Sequence, residues 1–496
     1  MECQAKEQVD GYLQDAQTII ETLVQIQQGE RSIKEAEPAY LRSPLIRGYQ
    51  RYIFEKFSGI ITTPSVAYIS KSKDGWLIVG DNRKEIAARI SLVIEHYGIG
   101  VGMLVLHAQQ MYAGYIPLSF EIGGRTVDLT QPTLDVNGGR GERIINVPVR
   151  AYRADNEKLA EHNIAKPNNM LNQSNLIRHN GDKWNCRYCS AKEMFPCEVI
   201  VNVNGAGLGL SRNYNLGFTY APFGNPIKVV HFLAWDSSEK PLNMNRTPVT
   251  VSDLVILTRK INISLVNFFA GTGITDYPVI DGVSNGWAGN SIYHQHFQFF
   301  APEFDMPIRS ENLINRQAIL SREDVRIHRL SWNLPIYKIT ADESINVGLV
   351  GNDLAGIWRL MSNVQILHPG DTSYDGFQVE EPTEMRFHTQ NLYVPGDKAG
   401  KEAFILLRDR RLIDFDPKDV HIDKARKVMA QAKKNIGVLE ASGIMIADDP
   451  KSFAEASTWN PAEVSAQIDK MVEAVCSNPK KVAEFEKGIS GLFPPE

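Results

Sequence analysis

Residues 285–300 read Asn-Gly-Trp-Ala-Gly-Asn-Ser-Ile-Tyr-His-Gln-His-Phe-Gln-Phe-Phe, and this stretch is the most informative one in the chain. Two of the eleven histidines lie two residues apart in it, and a glutamine follows at the same spacing. The neighbouring Ile, Tyr and Phe residues favour a β-strand. Because alternate side chains of a strand share one face, we expect His294, His296 and Gln298 to project together. The intervening Gln and Phe side chains then face the other way.

The segment just before this strand has the composition of an anion-binding turn. Its Gly and Asn residues could present backbone N–H groups to a phosphate, and the Ser291 hydroxyl could add a further contact. An imidazole next to a phosphate site can act as a nucleophile at phosphorus. The alternative is a strand whose histidines are structural or bind a metal. The glutamine at the third position of the same face, and the Gly-Asn-Ser segment that precedes the strand, favour a catalytic site over a structural or metal-binding strand.

The motif His-x-His-x-Gln, followed by two aromatic residues, resembles the active-site signature of the histidine-triad superfamily. It is most similar to the galactose-1-phosphate uridylyltransferase branch, in which Gln replaces the third His. Within that branch the whole stretch looks like that of the GDP-hexose phosphorylases and the dinucleoside polyphosphate phosphorylases. The resemblance continues in pattern over residues 180–480, whereas the first 170 residues show no counterpart.

The resemblance implies an α+β fold with duplicated histidine-triad-like half-domains, each an antiparallel sheet with helices. A strand, a loop with Asp, Ser or Pro, and a helix recur faintly along the chain, which fits such a duplication. We therefore divide the chain into an α+β accessory domain at 1–150, a linker at 151–182, a catalytic half at 183–305, and a degenerate second half at 306–496 that has lost the catalytic His.

By the same resemblance, His296 is the nucleophile. Its neutral imidazole, on a surface-facing side of the strand, would attack the α-phosphorus of a nucleotide and form a nucleotidyl-histidine. His294 is its catalytic neighbour. Gln298 would hold a non-bridging phosphate oxygen, and in the resembled branch this glutamine accompanies transfer to a phosphate acceptor rather than to water.

The resemblance also implies substrate contacts in two segments of the chain. One segment is the turn before the active strand, which would bind phosphate, and the other lies where the family's base and ribose pocket begins. The implied contacts are Gly289, Asn290, Ser291 and Asn285 in the first segment, and Arg212 and Asn213 in the second.

These residues lead us to expect a nucleotidyltransferase or phosphorylase. Its substrate would be a nucleoside diphosphate sugar or a dinucleoside polyphosphate, and its acceptor would carry phosphate. A nucleotide hydrolase on the same scaffold is one alternative, and Gln298 argues against it. A non-catalytic nucleotide-binding regulator is the other, and the intact motif argues against that, because binding alone requires no histidine nucleophile.

A metal site is implied by a Cys-x-x-Cys pair, Cys186 and Cys189. In the resembled family such a pair binds zinc together with the first His of the active strand, here His294. The family's fourth ligand is a His that follows the strand beginning at His231. This chain has Asp-Ser-Ser-Glu there, so Glu239 would have to serve. The departure favours a site without metal, so we expect no required cofactor, with a structural zinc as the alternative.

Three other polar features have two interpretations each. His231 is either a core histidine beneath the site or a catalytic group. The cluster Arg408-Asp-Arg410-Arg411 could bind phosphate, since guanidinium groups do so bidentately, but a solvated strand end is the preferred interpretation. The loop at 138–141 is interpreted as an ordinary glycine-rich turn rather than a ligand site.

Composition sets the broad class of protein. The 496 residues exceed one ordinary core, and 43% hydrophobic with 22% charged residues is typical of a soluble globular protein. A net charge of −5 gives no reason to expect nucleic acid as a partner.

Five cysteines, an odd number, favour a reducing compartment. The N-terminus lacks signal-peptide features, and Glu95 and His96 interrupt the most apolar stretch, so we expect a cytoplasmic protein without a membrane span. A homodimer is left open.

Periodicity and turn residues predict the secondary structure. The expected helices are 7–28, 83–96, one from Thr250 or Ser252 (either of which could cap it) to 269, 353–362 and 460–476. The expected strands are 65–70, 76–79, 101–107, 115–122, 143–149, 228–235, the His-bearing strand, 387–394, 403–407 and 443–447.

Overall fold

The computed structural model of the chain describes residues 46–72, 75–112, 119–122, 125–128, 134–138, 143–147, 198–218, 230–237, 249–285, 296–302, 306–314, 318–322, 324–360, 384–398, 400–413, 437–444, 466 and 479–492. The described helices are α1 (Gly48–Ile61), α2 (Arg83–Tyr97), α3 (Ile99–Tyr112), α4 (Gly205–Leu208), α5 (Val249–Phe269), α6 (Ser344–Leu360), α7 (Val438–Ala441) and α8 (Pro479–Leu492).

The described strands form hairpins near the N-terminal end of this range and one large sheet further on. The hairpin strands are β1 (Val66–Ser72), β2 (Gly75–Asp81), β3 (Ser119–Ile122), β4 (Arg125–Asp128), β5 (Leu134–Gly138) and β6 (Arg143–Val147). The sheet strands are β7 (Val201–Val203), β8 (Tyr214–Phe218), β9 (His231–Asp236), β10 (Asp281–Ser284), β11 (His296–Phe300), β12 (Leu320–Ser321), β13 (Val325–Arg329), β14 (Ile336–Ala341), β15 (Glu384–Val394) and β16 (Glu402–Ile413).

The sheet runs in the order β12-β13-β14-β16-β15-β10-β11-β9-β8-β7, and its neighbours pair antiparallel. The prediction of an α+β fold with an antiparallel sheet and helices is therefore confirmed. Strand β11, which begins at His296, lies inside the sheet, between β9 and β10.

The order of elements is the same on the two sides of the sheet. Along the chain, β7, β8, β9, α5, β10 and β11 are followed by β12, β13, β14, α6, β15 and β16. In space the first five strands lie as 7-8-9-11-10 and the second five as 12-13-14-16-15, and β10 pairs with β15 where the two sets meet.

Helices α5 and α6 pack against each other and cover one face of the sheet. Glycines allow the two helices to approach closely, because a Cβ at Gly348 would lie 2.8 Å from Ser252 Oγ and one at Gly351 would overlap Val251. The expected capping by Thr250 or Ser252 is wrong, since α5 begins at Val249 and both residues lie inside it. Instead, Asn352 of α6 accepts a hydrogen bond from the Ser252 N–H at 3.2 Å, in the first turns of α5, and donates to its hydroxyl at 2.7 Å.

The other predicted elements were correct in most places. Helices α2 and α5 and strands β1, β2, β9 and β15 lie where the sequence predicts them, with shifts of up to three residues at their ends, whereas β16 runs six residues beyond its expected end. Helix α6 begins at Ser344, nine residues before its expected start. Strand 115–122 is described over Ser119–Ile122, and strand 143–149 over Arg143–Val147. Helix 7–28 lies outside the described residues, as does 460–476 apart from residue 466.

One predicted strand is wrong, and a second is not formed in the two of its residues that the structure describes. Residues 101–107 belong to helix α3, in which every residue is buried. A helix that is buried on all sides has an unbroken apolar sequence, and its periodicity cannot distinguish it from a buried strand. At 443–447, Gly443 lies in the turn after α7 with φ of +98°, while the residues after Ile444 lie outside the described part.

Helices α1 to α3 share one hydrophobic core with α5, α6 and their face of the sheet. Helix α3 packs on α1, α2 and α5. The core is therefore continuous across the boundary predicted near residue 150. The boundary itself stays a prediction, because residues 148–197 lie outside the described ranges.

A search of the described helices finds none both long enough and apolar enough to cross a lipid bilayer.

Candidate active site

The described residues include part of the predicted site. His296, Gln298, Asn285, Arg212 and Asn213 are among them. The remaining candidates lie outside the described ranges, and their roles stay predictions. These are His294, Ser291, Asn290, Gly289, Cys186, Cys189 and Glu239.

Strand β11 presents two chemically different faces. Phe297 and Phe299 are fully buried in the core beneath the helices, as the alternation predicts. His296 and Gln298 therefore project from the opposite face. The expected surface exposure of His296 is wrong, because the residue is only 4% exposed. A nucleophile in this position is shielded from bulk water, which strengthens its electrostatic interactions with a bound phosphate.

Gln298 is held by His231, the first residue of the neighbouring strand β9. The His231 Nε2 and Gln298 Oε1 atoms lie 3.3 Å apart, and His231 is 1% exposed. A glutamine carbonyl only accepts hydrogen bonds, so Nε2 of His231 is the donor. This bond turns the amide nitrogen of Gln298 away from His231, where it can donate to a ligand oxygen. His231 pairs with Phe300 and so lies on the same face as Gln298 and His296, as a buried neighbour of the site, and a catalytic part for it stays a prediction.

A row of polar side chains crosses the sheet at the level of His296, and we call it the polar row. Its members come from six adjacent strands or strand ends and share the face that carries His296. They are Asn202, Asn215, Trp235, His296, Asn285 and Asn391.

Strand register places these residues in line. Asn202 pairs with Asn215, and Asn215 with Trp235. Trp235 in turn pairs with His296. On the other side, continuing the β10–β11 register by two residues sets Asn285 opposite His296. The next row on the same face is mostly apolar apart from Gln298, and contains Leu233, Gln298, Val283, Tyr393 and Phe404. Polar groups are therefore concentrated at the level of the proposed nucleophile.

Asn285 is buried at the end of β10 and joins the two sides of the sheet. Its Oδ1 accepts hydrogen bonds from Asn391 Nδ2 at 3.1 Å and from the Val438 N–H at 2.7 Å. Asn391 Oδ1 in turn accepts from Arg408 Nη1 at 2.9 Å. Arg408 is 0% exposed, so its interpretation as a solvated strand end is wrong. No local pattern in the sequence indicates that these residues bond to one another, because they lie far apart in the chain.

Arg212 and Asn213 are engaged within the loop between β7 and β8. Arg212 Nη1 forms an ion pair with Asp236 Oδ2 at 2.6 Å. Asn213 Oδ1 accepts from the Gly205 N–H at 2.9 Å, and a Cβ at Gly205 would overlap the Arg212 carbonyl oxygen. These contacts give both side chains a structural role in the loop, and their predicted part in a base pocket stays a prediction.

The same loop is tied to helix α5 by Asp253. The Asp253 carboxylate accepts from the Ser211 backbone N–H at 2.9 Å, from its hydroxyl at 2.6 Å and from the Tyr214 hydroxyl at 2.6 Å. Burial, together with the nearby Asp253 charge, raises the pKa of Tyr214 well above its usual value. Tyr214 therefore acts as a neutral donor that fixes β8 against the helix.

Asp281 is a buried carboxyl at the start of β10 that the sequence did not single out. It accepts hydrogen bonds from the Tyr393 hydroxyl and from the Gly396 N–H, both at 2.7 Å. Burial raises its pKa to about 6, although both hydrogen bonds act in the opposite direction. The two contacts link β10 to β15 at the seam where the two sets of strands meet.

Within the described residues, no group of three or more His, Cys, Asp or Glu side chains is arranged to hold a metal ion. The three predicted zinc ligands and Glu239 all lie outside those residues. The alternative of a structural zinc therefore stays a prediction.

Comparison of the chain with protein-family models, with curated proteins and with solved structures finds no match.

Proposed function

We propose that this protein is a nucleotidyltransferase or phosphorylase that works through a covalent nucleotidyl-His296 intermediate. Its substrate is a nucleoside diphosphate sugar or a dinucleoside polyphosphate. The main support for the proposal is that His296 and Gln298 lie on the same face of an interior strand. The Gln298 carbonyl oxygen lies 3.3 Å from His231 Nε2, which leaves the amide nitrogen to donate to a ligand.

The first chemical step forms a phosphorus–nitrogen bond. The neutral imidazole of His296 attacks the α-phosphorus, and the bond from phosphorus to the bridging oxygen breaks. The leaving group departs with that electron pair as a phosphate monoester or nucleotide, which needs little protonation. The Gln298 amide nitrogen donates to a non-bridging oxygen, where negative charge increases as the transition state forms.

The second step regenerates the histidine. An oxygen of inorganic phosphate or of another phosphate-bearing acceptor attacks the same phosphorus, and the phosphorus–nitrogen bond breaks. The electron pair returns to the imidazole. Gln298 cannot serve as a general base for water at neutral pH, which favours phosphate acceptors over hydrolysis.

The arrangement of the sheet supports a duplicated histidine-triad-like fold. Each side contains three meandering strands, a helix and two further strands in the same spatial order. On β16, which corresponds in order to β11, the face shared with His296 carries Phe404 and Leu406, both buried in a second hydrophobic cluster. An apolar face at this position agrees with a second copy that has lost the catalytic His.

A labelling experiment tests the proposed function. The protein is incubated with nucleotide sugars and dinucleoside polyphosphates that carry ³²P at the α-phosphate, with and without inorganic phosphate. We expect acid-labile label on the protein without phosphate, and release of a labelled nucleoside diphosphate when phosphate is added. If no substrate of the panel labels the protein or is turned over, the proposal is wrong.

Two variants provide the controls. His296→Asn keeps a polar side chain in a buried position and should lower turnover to less than about a hundredth, since loss of a nucleophile normally costs several orders of magnitude. His328→Asn removes a histidine from β13, outside the polar row, and should label as the parent does.

A further inference from the structure

Three buried side chains form a hydrogen-bonded series that runs from the second set of strands towards the proposed nucleophile, His296. Arg408 on β16 donates to Asn391 on β15, and Asn391 donates to Asn285 at the end of β10. The last pair of the β10–β11 ladder is Val283 with Gln298, and continuing that register by two residues places Asn285 opposite His296. Arg408 and Asn391 are both 0% exposed, and Asn285 is 6% exposed.

The chemistry of Arg408 fixes the donor and the acceptor in each hydrogen bond of this series. A guanidinium has only donors, so Arg408 Nη1 must bond to the carbonyl oxygen of the Asn391 amide. That orientation turns the Asn391 amide nitrogen towards Asn285, where it donates to Oδ1 at 3.1 Å. The Val438 N–H donates to the same oxygen at 2.7 Å. With Oδ1 facing two donors, the Asn285 amide nitrogen is turned away from both of them.

We propose that Arg408 and Asn391 are positioning residues that act through Asn285, so that the second half of the chain orients an amide donor beside His296. The inference rests on the proposed function, because the donor matters only when a phosphate is transferred there. The second half is then required for the site, although its own strand β16 carries no histidine.

Energetic reasons favour this role over simple packing. A buried guanidinium is costly unless it is hydrogen-bonded, and Arg408 meets part of this requirement by donating to Asn391 at 2.9 Å. Buried hydrogen bonds that follow one another in series, as from Arg408 to Asn285, also polarise and strengthen one another. An oriented donor next to a reacting phosphate requires no rearrangement during the reaction, which is where such groups have their largest effect.

The substitution Asn391→Asp tests the proposal with little change of shape. A carboxylate at this position still accepts the hydrogen bond from Arg408, but it cannot donate to Asn285. The Asn285 Oδ1 atom then keeps only the Val438 N–H as a donor and faces a carboxylate that repels it, so the amide is no longer held in one orientation. We expect kcat for turnover of the substrate in the presence of phosphate to fall by about tenfold to a hundredfold. KM should change less than about threefold, because a transition-state interaction is lost rather than ground-state binding.

A double-mutant comparison distinguishes positioning from general damage. Asn285→Ala removes the final amide and should lower kcat at least as much as Asn391→Asp. The double variant should be no slower than Asn285→Ala alone, because both changes remove the same function. Asn312→Asp adds a carboxylate at an exposed position and serves as the matched control.

Each result has a defined meaning. Folded Asn391→Asp protein whose kcat stays within about twofold of the parent refutes the positioning role, and so do losses that simply multiply in the double variant. A parent protein that takes no label from any substrate refutes the proposed function and the positioning role together. A labelled parent with unaffected variants refutes the positioning role alone.

Discussion

The buried carboxyl of Asp281 should make stability depend on pH in a defined window. The pKa of this group is about 6 in the folded protein, against its ordinary value of 3.8, because burial disfavours the charged form. Below pH 3.8 the group is neutral in both states. As pH rises from 3.8 to 6, the unfolded chain loses the proton first, so the folded state becomes progressively less stable.

The size of the effect follows from the two values. At about 1.4 kcal/mol per pH unit, the difference between 3.8 and about 6 lowers the free energy of unfolding by roughly 3 kcal/mol once pH exceeds 6. Asp281→Asn should remove this loss while keeping both hydrogen bonds. Its carbonyl can accept from the Gly396 N–H, and its amide nitrogen can donate to the Tyr393 oxygen after the hydroxyl rotates.

Urea unfolding measured at several pH values checks this prediction. We expect the gain in stability of the variant over the parent to grow by roughly 2.5 kcal/mol between pH 4 and pH 7, with most of this growth complete by about pH 6.5. Asp342→Asn, which removes an exposed carboxylate, controls for the loss of one negative charge. A difference between variant and parent that stays constant with pH would refute the assignment of a raised pKa to Asp281.

Two further predictions concern acceptor choice and metal. Gln298→His should increase hydrolysis relative to transfer to phosphate, because an imidazole can activate the attacking water; an unchanged product ratio by chromatography would mean that the acceptor is selected elsewhere. Protein purified without chelators should contain less than about a tenth of an equivalent of zinc by elemental analysis, and Cys186→Ser should leave its stability nearly unchanged. Close to one zinc per chain, lost together with stability in Cys186→Ser, would instead establish Cys186, Cys189 and His294 as ligands.

The parts of the fold that the sequence predicted are those with a local pattern. Helix α2 has one apolar stripe, in which Ile86, Ile90 and Val93 are buried, and its spacing is readable without a structure. The alternation around His296 likewise predicted which face carries Phe297. Helix α3 failed because every one of its residues is buried, which leaves no polar face to set a period.

The missed parts of the site depend on strand pairing between distant residues. Nothing near Asn391 in the sequence indicates Asn285, which lies 106 residues away and becomes its partner only when β10 pairs with β15. Arg408 resembled a solvated charge because it begins a run of charged residues after an apolar strand. It is buried because β16 extends to Ile413, further than its apolar residues suggest.

The central claim is a covalent bond between His296 and the substrate's nucleotidyl group. The most direct test is mass spectrometry of protein mixed with a nucleotide sugar or dinucleoside polyphosphate that it turns over, quenched under alkaline conditions before any phosphate acceptor is added. We expect the mass of one nucleoside monophosphate residue on the peptide that contains His296, fragment ions that assign it to this histidine, and its loss on addition of phosphate. A protein that turns over its substrate while the adduct is absent, or lies on another residue, would contradict the claim.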